Sequence, residues 1–343
     1  MPVCLGPKRF RNIVCAVTLA FASAGALAES PDGPPPCSGR NLIETMRVSA
    51  PRDYAEYRKG AALVENGEGL LWRIERRGIP ASYLFGTMHV TDPDAVRYAR
   101  SMQPYLKRSK IVATELGDTA SMTLVLGLRI AAMALFSSKD ELAIIKSPED
   151  RAQVELALAR RGMDPAFARR LEPWILYAAL SAPQCEMARQ RKFPIVDDTI
   201  VKLGKAAGVP VAALETVSEQ LSVFETIEPD ALARMIVLTA NIDEGSADRF
   251  STLVGLYKAQ AIGRAEQAFT LSLPAALRQE SRELDGAFLP KLLDSRNIVM
   301  RDRSRDMLAK GRAFIAVGAL HLVGRTGLVA LYRQEGYRVT RVR

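Results

Sequence analysis

The chain has 343 residues, 48% hydrophobic and 25% charged, with 47 Lys and Arg against 38 Asp and Glu and a formal net charge of +9. That composition excludes collagen-like, coiled-coil and broadly disordered classes, and the length allows a buried core without covalent staples. Histidines number only two and cysteines four.

In chain order, Lys8, Arg9 and Arg11 precede an apolar stretch from about Ile13 to Leu27 that ends in Ala26-Leu27-Ala28. This is the pattern of a secretory signal peptide, residues 1–28, cleaved after Ala28. An uncleaved anchor is the alternative, although the apolar run is short for a span. The reading places the protein in the periplasm or outside the cell. Cleavage removes three positive charges and no negative ones. The mild positive charge that remains favours anionic surfaces, membrane surfaces included, or anionic substrates. The export route argues against nucleic acid as a partner. Cys4 and Cys15 leave with the leader; Cys37 and Cys185 remain, an even pair that either forms a disulfide or stands as two thiols.

Residues 29–39 hold Pro31, Pro34, Pro35 and Pro36 and read as an extended tether. Residues 41–64 read as helix interrupted near Pro51, so 29–64 form an N-terminal segment ahead of a domain at 65–343. Leu70–Ile74 and Ser82–Phe85 are apolar runs joined by a longish loop from Glu75 to Ala81, a β-hairpin. A helix over Asp92–Leu106 leads to a strand over Lys110–Glu115. Helices follow at Met122–Phe136, Pro148–Arg161 and Pro165–Gln190, then a short strand at Pro194–Val196. Thr199–Ala207 is helical, with Asp198 suited to its N-cap, and Val209–Leu214 is a strand ending at Glu215. Residues 217–310 read as helical. Ala313–Val317 is a strand, Gly318–His321 a turn, Thr326–Glu335 a helix and Tyr337–Val342 a last strand. The pattern predicts an α/β fold: a central mixed sheet built from both ends and the middle of the chain, with large helical insertions near 120–190 and 217–310 forming a cap. The apolar segment 122–136 is too short for a span and carries Arg129 near its centre, so it reads as a buried or cap helix rather than a membrane contact.

The two histidines share one local frame. Tyr83-Leu84-Phe85-Gly86-Thr87-Met88-His89-Val90 matches Ile315-Ala316-Val317-Gly318-Ala319-Leu320-His321-Leu322: an apolar strand, Gly-x-x-His, then an apolar residue. Such turns fall at the C-terminal edge of a sheet, where open α/β sheets hold ligands, and glycine permits close backbone approach. Two imidazoles and a carboxylate make a ligand set for a divalent ion. The alternative is two buried structural histidines. Glu115 and Glu215 end strands in the same manner. Asp197 and Asp198 follow the short run Pro194–Val196, as helix caps or as site acids. Arg296 and Asn297 open a run of alternating charge that reads mostly as a solvated helix face, from which Arg296 could reach the site as an anion clamp.

These residues resemble the TraB/GumN family, related to the Tiki metalloproteases. The resemblance rests on Leu71-Trp72-Arg73-Ile74 leading to Gly86-Thr87-Met88-His89, on Glu115, and on Leu214-Glu215-Thr216 with Glu219-Gln220. It continues in Arg296-Asn297-x-x-Met300, in Val317-Gly318-Ala319-Leu320-His321-Leu322, and in Gly324, Gly327-Leu328 and Gly336-Tyr337. It implies an α/β core with two Gly-x-x-His turns and acidic partners around a divalent metal.

Two functional classes follow. The first is a metal-dependent hydrolase, most simply a peptidase. His89, Glu115 and His321 would hold a divalent ion (Zn, Mn and Co are not distinguished), Glu215 or a second acid would be general base, and Arg296 and Asn297 would position substrate. No Gly-x-Ser-x-Gly nucleophile frame occurs. The second is a non-catalytic module that captures a peptide, a small signal molecule or a metal in the same pocket. The sequence does not bear on oligomeric state.

Overall fold

The computed structural model describes residues 35–117 and 119–342. The expected leader lies outside the described residues. Six strands, β1 (Leu71–Arg76), β2 (Ile79–Thr87), β3 (Ile111–Thr114), β4 (Val211–Ala213), β5 (Ala313–Gly318) and β6 (Arg338–Arg341), form one sheet in the order β4-β3-β5-β2-β1-β6. Strands β4, β3, β5 and β2 run parallel, and β1 lies antiparallel between β2 and β6. The expected mixed sheet, drawn from both ends and the middle of the chain, is the observed one.

Strand β5 explains how the sheet is buried. Its residues Ala313–Val317 are all buried, and they alternate between faces. Phe314 and Ala316 join a core with Phe85, Leu106, Ile200 and Tyr257. Ala313, Ile315 and Val317 join another with Trp72, Leu308, Leu328 and Tyr332. A continuous apolar run is what a strand covered on both faces requires. The helical blocks supply a separate core, with Leu158, Leu176, Ile236 and Phe288 among its members. The N-terminal helices Leu42–Ser49 and Pro51–Ala61 pack Met46 and Tyr57 against Leu256, Ala268 and Leu271.

Several boundaries differ from the sequence reading, each for a local reason. The hairpin loop is the tight turn Arg77-Gly78, with Gly78 at φ +78°, because Pro80 is accommodated just after the last cross-strand pair, Arg76 with Ile79. Pro165–Gln190 is not one helix: the chain restarts at Pro173 and at Gln184 after Pro183, since proline fits a first helical turn and breaks an interior one. The strand expected at Pro194–Val196 is absent. The helix there is Val196–Ala206, which places Asp197 and Asp198 in its first turn and leaves the N-cap position to Ile195. The helix Thr119–Phe136 packs Ile130 and Met133 on the helical core, and Arg129 pairs with Glu172 at 2.7 Å. Among the described residues no helix is long and apolar enough to cross a membrane.

A partly buried acid on the helix Ala275–Leu289 gives a pH test. Desolvation, with Glu266 nearby, raises the Asp285 carboxyl to about 6. An acid raised on folding contributes stability at low pH that is lost as pH climbs from about 4 through about 6. Asp285→Asn is therefore expected to stabilise the protein by about 1–2 kcal/mol at pH 7.5, with the gain vanishing near pH 4. Urea unfolding at the two pH values measures it; an equal effect at both would refute the burial account.

Candidate functional site

The four parallel strands end at one edge of the sheet, and their order sets the order of the polar groups. Glu215 follows β4, Glu115 follows β3, Gly318 ends β5 with His321 in the next turn, and Thr87 ends β2 with His89 two residues on. Register fixes the central pair: Gly86 lies opposite Val317 and Thr87 opposite Gly318. A Cβ on Gly86 would stand 3.0 Å from both Cα and Cβ of Ala319, so the two Gly-x-x-His turns pack directly on each other. At Gly318 a Cβ would come within 3.2 Å of Glu115 Oε1. Its absence lets the Gly318 amide donate to that oxygen at 2.6 Å.

Glu115 and Glu215 are side by side. The Glu215 amide donates to the Glu115 carbonyl at 2.7 Å, extending the β3–β4 pairing by one residue. Both carboxylates are buried, and Arg296 lies between them. Its Nε and Nη2 donate to Glu215 at 2.9 and 2.6 Å, and Nη2 also donates to Glu115 Oε2 at 2.7 Å. The Arg296 side chain is 10% exposed and that of Glu215 2%. Arg296 stands in the first turn of the helix Ser295–Lys310, which a single π-helical turn, Pro290–Asp294, joins to the helix before it. Gln220 closes the cluster, its Nε2 donating to Glu115 Oε2 at 2.9 Å. A capping box, Thr216 with Glu219, starts the helix that carries it.

The imidazoles are held in the same manner. Asn297 donates from Nδ2 to the Thr326 carbonyl at 3.0 Å, which turns its Oδ1 toward His321 Nδ1 at 2.7 Å. His321 Nδ1 therefore carries the proton and Nε2 the lone pair. His89 Nδ1 lies 2.9 Å from Asp197 Oδ2, and Thr87 donates to Asp197 Oδ1 at 2.6 Å. Among the described residues neither Nε2 has a hydrogen-bond partner, and that of His321 lies 3.8 Å from Glu115 Oε1. His321 is buried. His89 is 65% exposed.

Charge follows from these contacts. Asp197 raises His89 to about 9, against burial, so this ring is protonated at neutral pH. Burial lowers His321 to about 4 and keeps it neutral. Burial disfavours charge on Glu115 as well, but His321, charged at the low pH where this carboxyl titrates, with Arg296 and His89, outweighs it and holds the carboxyl well below its usual range.

The structure thus joins Glu115, Glu215, Arg296, His321 and Asn297 through direct contacts. His89 stands with Asp197 within electrostatic reach of Glu115, without touching it. Among the described residues no three His, Cys, Asp or Glu side chains converge into a ready-made metal cage. The donor chemistry nonetheless fits a divalent ion. Each Nδ1 is anchored by an acceptor, the usual outer partner of a ligating histidine, and each Nε2 is left without a bond. Two surface concavities of about 550 and 470 Å³, near Arg169 and near Tyr57, contain none of these residues.

Sequence reasoning weighed Asp197 chiefly as a helix acid, and it gave Gln220 no role of its own. It did not single out Tyr257, whose hydroxyl donates to the Gly86 carbonyl at 2.8 Å. A signal for Asp197 existed: the apolar spacing Val196, Ile200, Leu203 starts the helix before it, not after.

The α/β chain with this strand edge has a family, which comparison identifies. The sequence model of the TraB/PrgY/gumN family matches residues 70–341, and the chain belongs to that family. It is similar to a protein named Metalloprotease TIKI homolog from Amphimedon queenslandica. The two are 24% identical over 315 residues, covering 79% of this chain and 61% of that protein. The chain therefore spans about three fifths of the length of this curated relative. No solved structure matches it.

Proposed function

We propose that the protein is an exported metal-dependent hydrolase acting on peptide bonds, with His89, His321 and Glu115 as metal ligands. The observation that carries this is the pair of imidazoles on neighbouring strand ends, each anchored at Nδ1 and unbonded at Nε2, beside an ionised glutamate. A divalent ion bound there would activate water and polarise a carbonyl. The protein's part is to prepare the donors. Asn297 fixes the His321 tautomer, Asp197 orients His89, and Arg296 with Gln220 holds Glu115 ionised and in place. A metal held at His89 Nε2 would have to displace the second proton of an imidazolium that Asp197 favours, so affinity would rise with pH. Glu215 has both oxygens on Arg296, and in this reading it positions Arg296 instead of acting as base. Arg296 is equally committed and serves the carboxylates, not the substrate. The Cys37–Cys185 disulfide supports an oxidising compartment. The similarity to a protein named as a metalloprotease supports the reaction class.

The engagement of both Arg296 and Glu215 favours a second reading, a non-catalytic binding module on the same pocket. Metal loading with Zn²⁺, Mn²⁺ or Co²⁺, elemental mass spectrometry and a peptide-library cleavage screen separate the two. The hydrolase reading expects about one metal per chain and cleavage that a chelator abolishes and metal restores. Metal bound without cleavage would favour the binding module, and no metal bound would overturn all three ligand assignments.

A further inference from the structure

We propose that the Cys37–Cys185 disulfide is a redox-sensitive brace that sets the position of His89, acting through Gln190 and Tyr257 as positioning residues. The proposal rests on the reading that His89 belongs to the functional site.

The first Gly-x-x-His turn is held at both ends by helices distant in sequence. At its far end stands the helix Gln184–Gln190, which contains Cys185. Gln190 Nε2 donates to the His89 carbonyl at 2.9 Å and to Glu186 Oε1 at 3.2 Å. The buried Glu186 accepts from the Thr91 amide at 2.7 Å and the Thr91 hydroxyl at 3.0 Å. Arg189 donates to the Thr91 hydroxyl and carbonyl at 3.0 and 3.2 Å. One short helix thus fixes the backbone from His89 to Thr91. At the near end, Tyr257 of the helix Ser246–Lys258 donates to the Gly86 carbonyl.

The N-terminal segment ties these two helices together. Its backbone lies against the start of Ser246–Lys258: the Arg40 amide donates to Asp248 at 2.8 Å, the Leu42 amide to Thr252 at 2.9 Å, and Ser251 to the Gly39 carbonyl at 3.1 Å. A Cβ on Gly39 would stand 2.4 Å from the Ala247 carbonyl oxygen, so the fit there is close. Two residues before Gly39, Cys37 is bonded to Cys185 across 148 residues of chain. The disulfide therefore connects the support at Gly86 to the support at His89. Both cysteines are part-exposed, within reach of a soluble thiol.

Reduction by a dithiol breaks the S–S bond. Two electrons and two protons pass to Cys37 and Cys185, giving two thiols, and the reductant leaves as its own disulfide. What remains is the set of hydrogen bonds linking Gly39, Arg40 and Leu42 to Ser246–Lys258, which no longer reach Gln184–Gln190. The helix Gln184–Gln190 is then free to shift, and the His89 carbonyl moves with Gln190.

The test needs no turnover, so it stands apart from the peptidase reading. With only two histidines in the chain, their imidazole NMR signals resolve His89, with His321 as internal control. In the full chain, dithiol reduction or Cys37→Ser/Cys185→Ser is expected to speed amide exchange over residues 86–91 on the order of tenfold. The His89 signal should shift or broaden while that of His321 and the exchange of β5 stay unchanged. Unchanged exchange and an unchanged His89 signal in the reduced chain would overturn the proposal. Should the double variant fail to fold, Gln190→Ala in the oxidised chain decides: Gln190 is exposed, and its loss must move the His89 signal or the brace does not act through it.

Discussion

Arg296→Met is expected to destabilise the protein by about 3–5 kcal/mol at pH 8, the cost of removing one partner from a buried ion pair. Arg296 is the cation shared by Glu115 and Glu215, whose strand ends are hydrogen-bonded to each other. Without it two buried carboxylates face one another, and one takes up a proton instead of remaining charged. In the variant each buried carboxylate opposes charge on the other, a penalty relieved at low pH and growing as pH rises. The gap to the parent chain should accordingly narrow at pH 5 and widen toward pH 8. Arg296→Lys should recover only part of the loss, since an ammonium does not reproduce the fork that spans both oxygens of Glu215 while Nη2 reaches Glu115. Arg296→Met with Glu215→Gln should be more stable than Arg296→Met alone, which a double-mutant cycle reads as coupling. Urea midpoints at both pH values settle the matter: a loss under about 1 kcal/mol at pH 8 would mean that the triad is not load-carrying.

Much of the sheet was legible because its strands are short apolar runs ending in glycine or an acid. Strand β5 needed no context: five consecutive apolar residues before Gly318 fit only a strand covered on both faces. Prolines misled in both directions. Pro80 was read as loop although it sits within β2, and Pro173 and Pro183 were read through although each marks a restart. Local propensity does not tell a proline at the first turn of a new helix from one in a continuing pattern until the helix direction changes. Strand order was not legible at all. That β3 lies between β4 and β5 depends on crossovers through more than one helical block, which no local pattern records.

The site divides along the same line. The two Gly-x-x-His turns were visible because each is written on consecutive residues, and the glutamates because each directly follows a strand. Their supports come from elsewhere in the chain. Asp197 reaches His89 across 108 residues, Arg296 reaches Glu115 across 181, and Tyr257 reaches Gly86 across 171. The charge run that begins at Arg296 does look like a solvated face, and most of it is: Arg303 pairs with Glu219 and Arg305 with Asp302 and Glu335 at the surface. Arg296 and Asn297 are buried because the helix turns its face with Met300, Ser304 and Leu308 inward, and they fall on that face.

His89→Ala and His321→Ala should both abolish metal binding and turnover, yet differ in what they do to the fold, and the difference separates a working site from two structural histidines. His89 is solvent-exposed, which screens its charged bond to Asp197, so its removal should cost about 1 kcal/mol. His321 is buried against Asn297, and its removal leaves Asn297 Oδ1 without a partner, costing about 1–3 kcal/mol. Asn297→Ala keeps both imidazoles but frees the His321 tautomer, and should lower metal affinity by about 10–100-fold, the usual effect of losing an outer partner of a ligating histidine. Metal content, thermal melting and peptide turnover on the three variants form one experiment. A structural role predicts that losses track burial: His321→Ala damaging, His89→Ala silent. A shared metal predicts that His89→Ala, the variant that perturbs the fold least, removes function as completely as His321→Ala. An exposed imidazole that can be deleted without effect on metal or turnover would leave the first Gly-x-x-His turn without a chemical purpose and exclude the two-histidine ligand set.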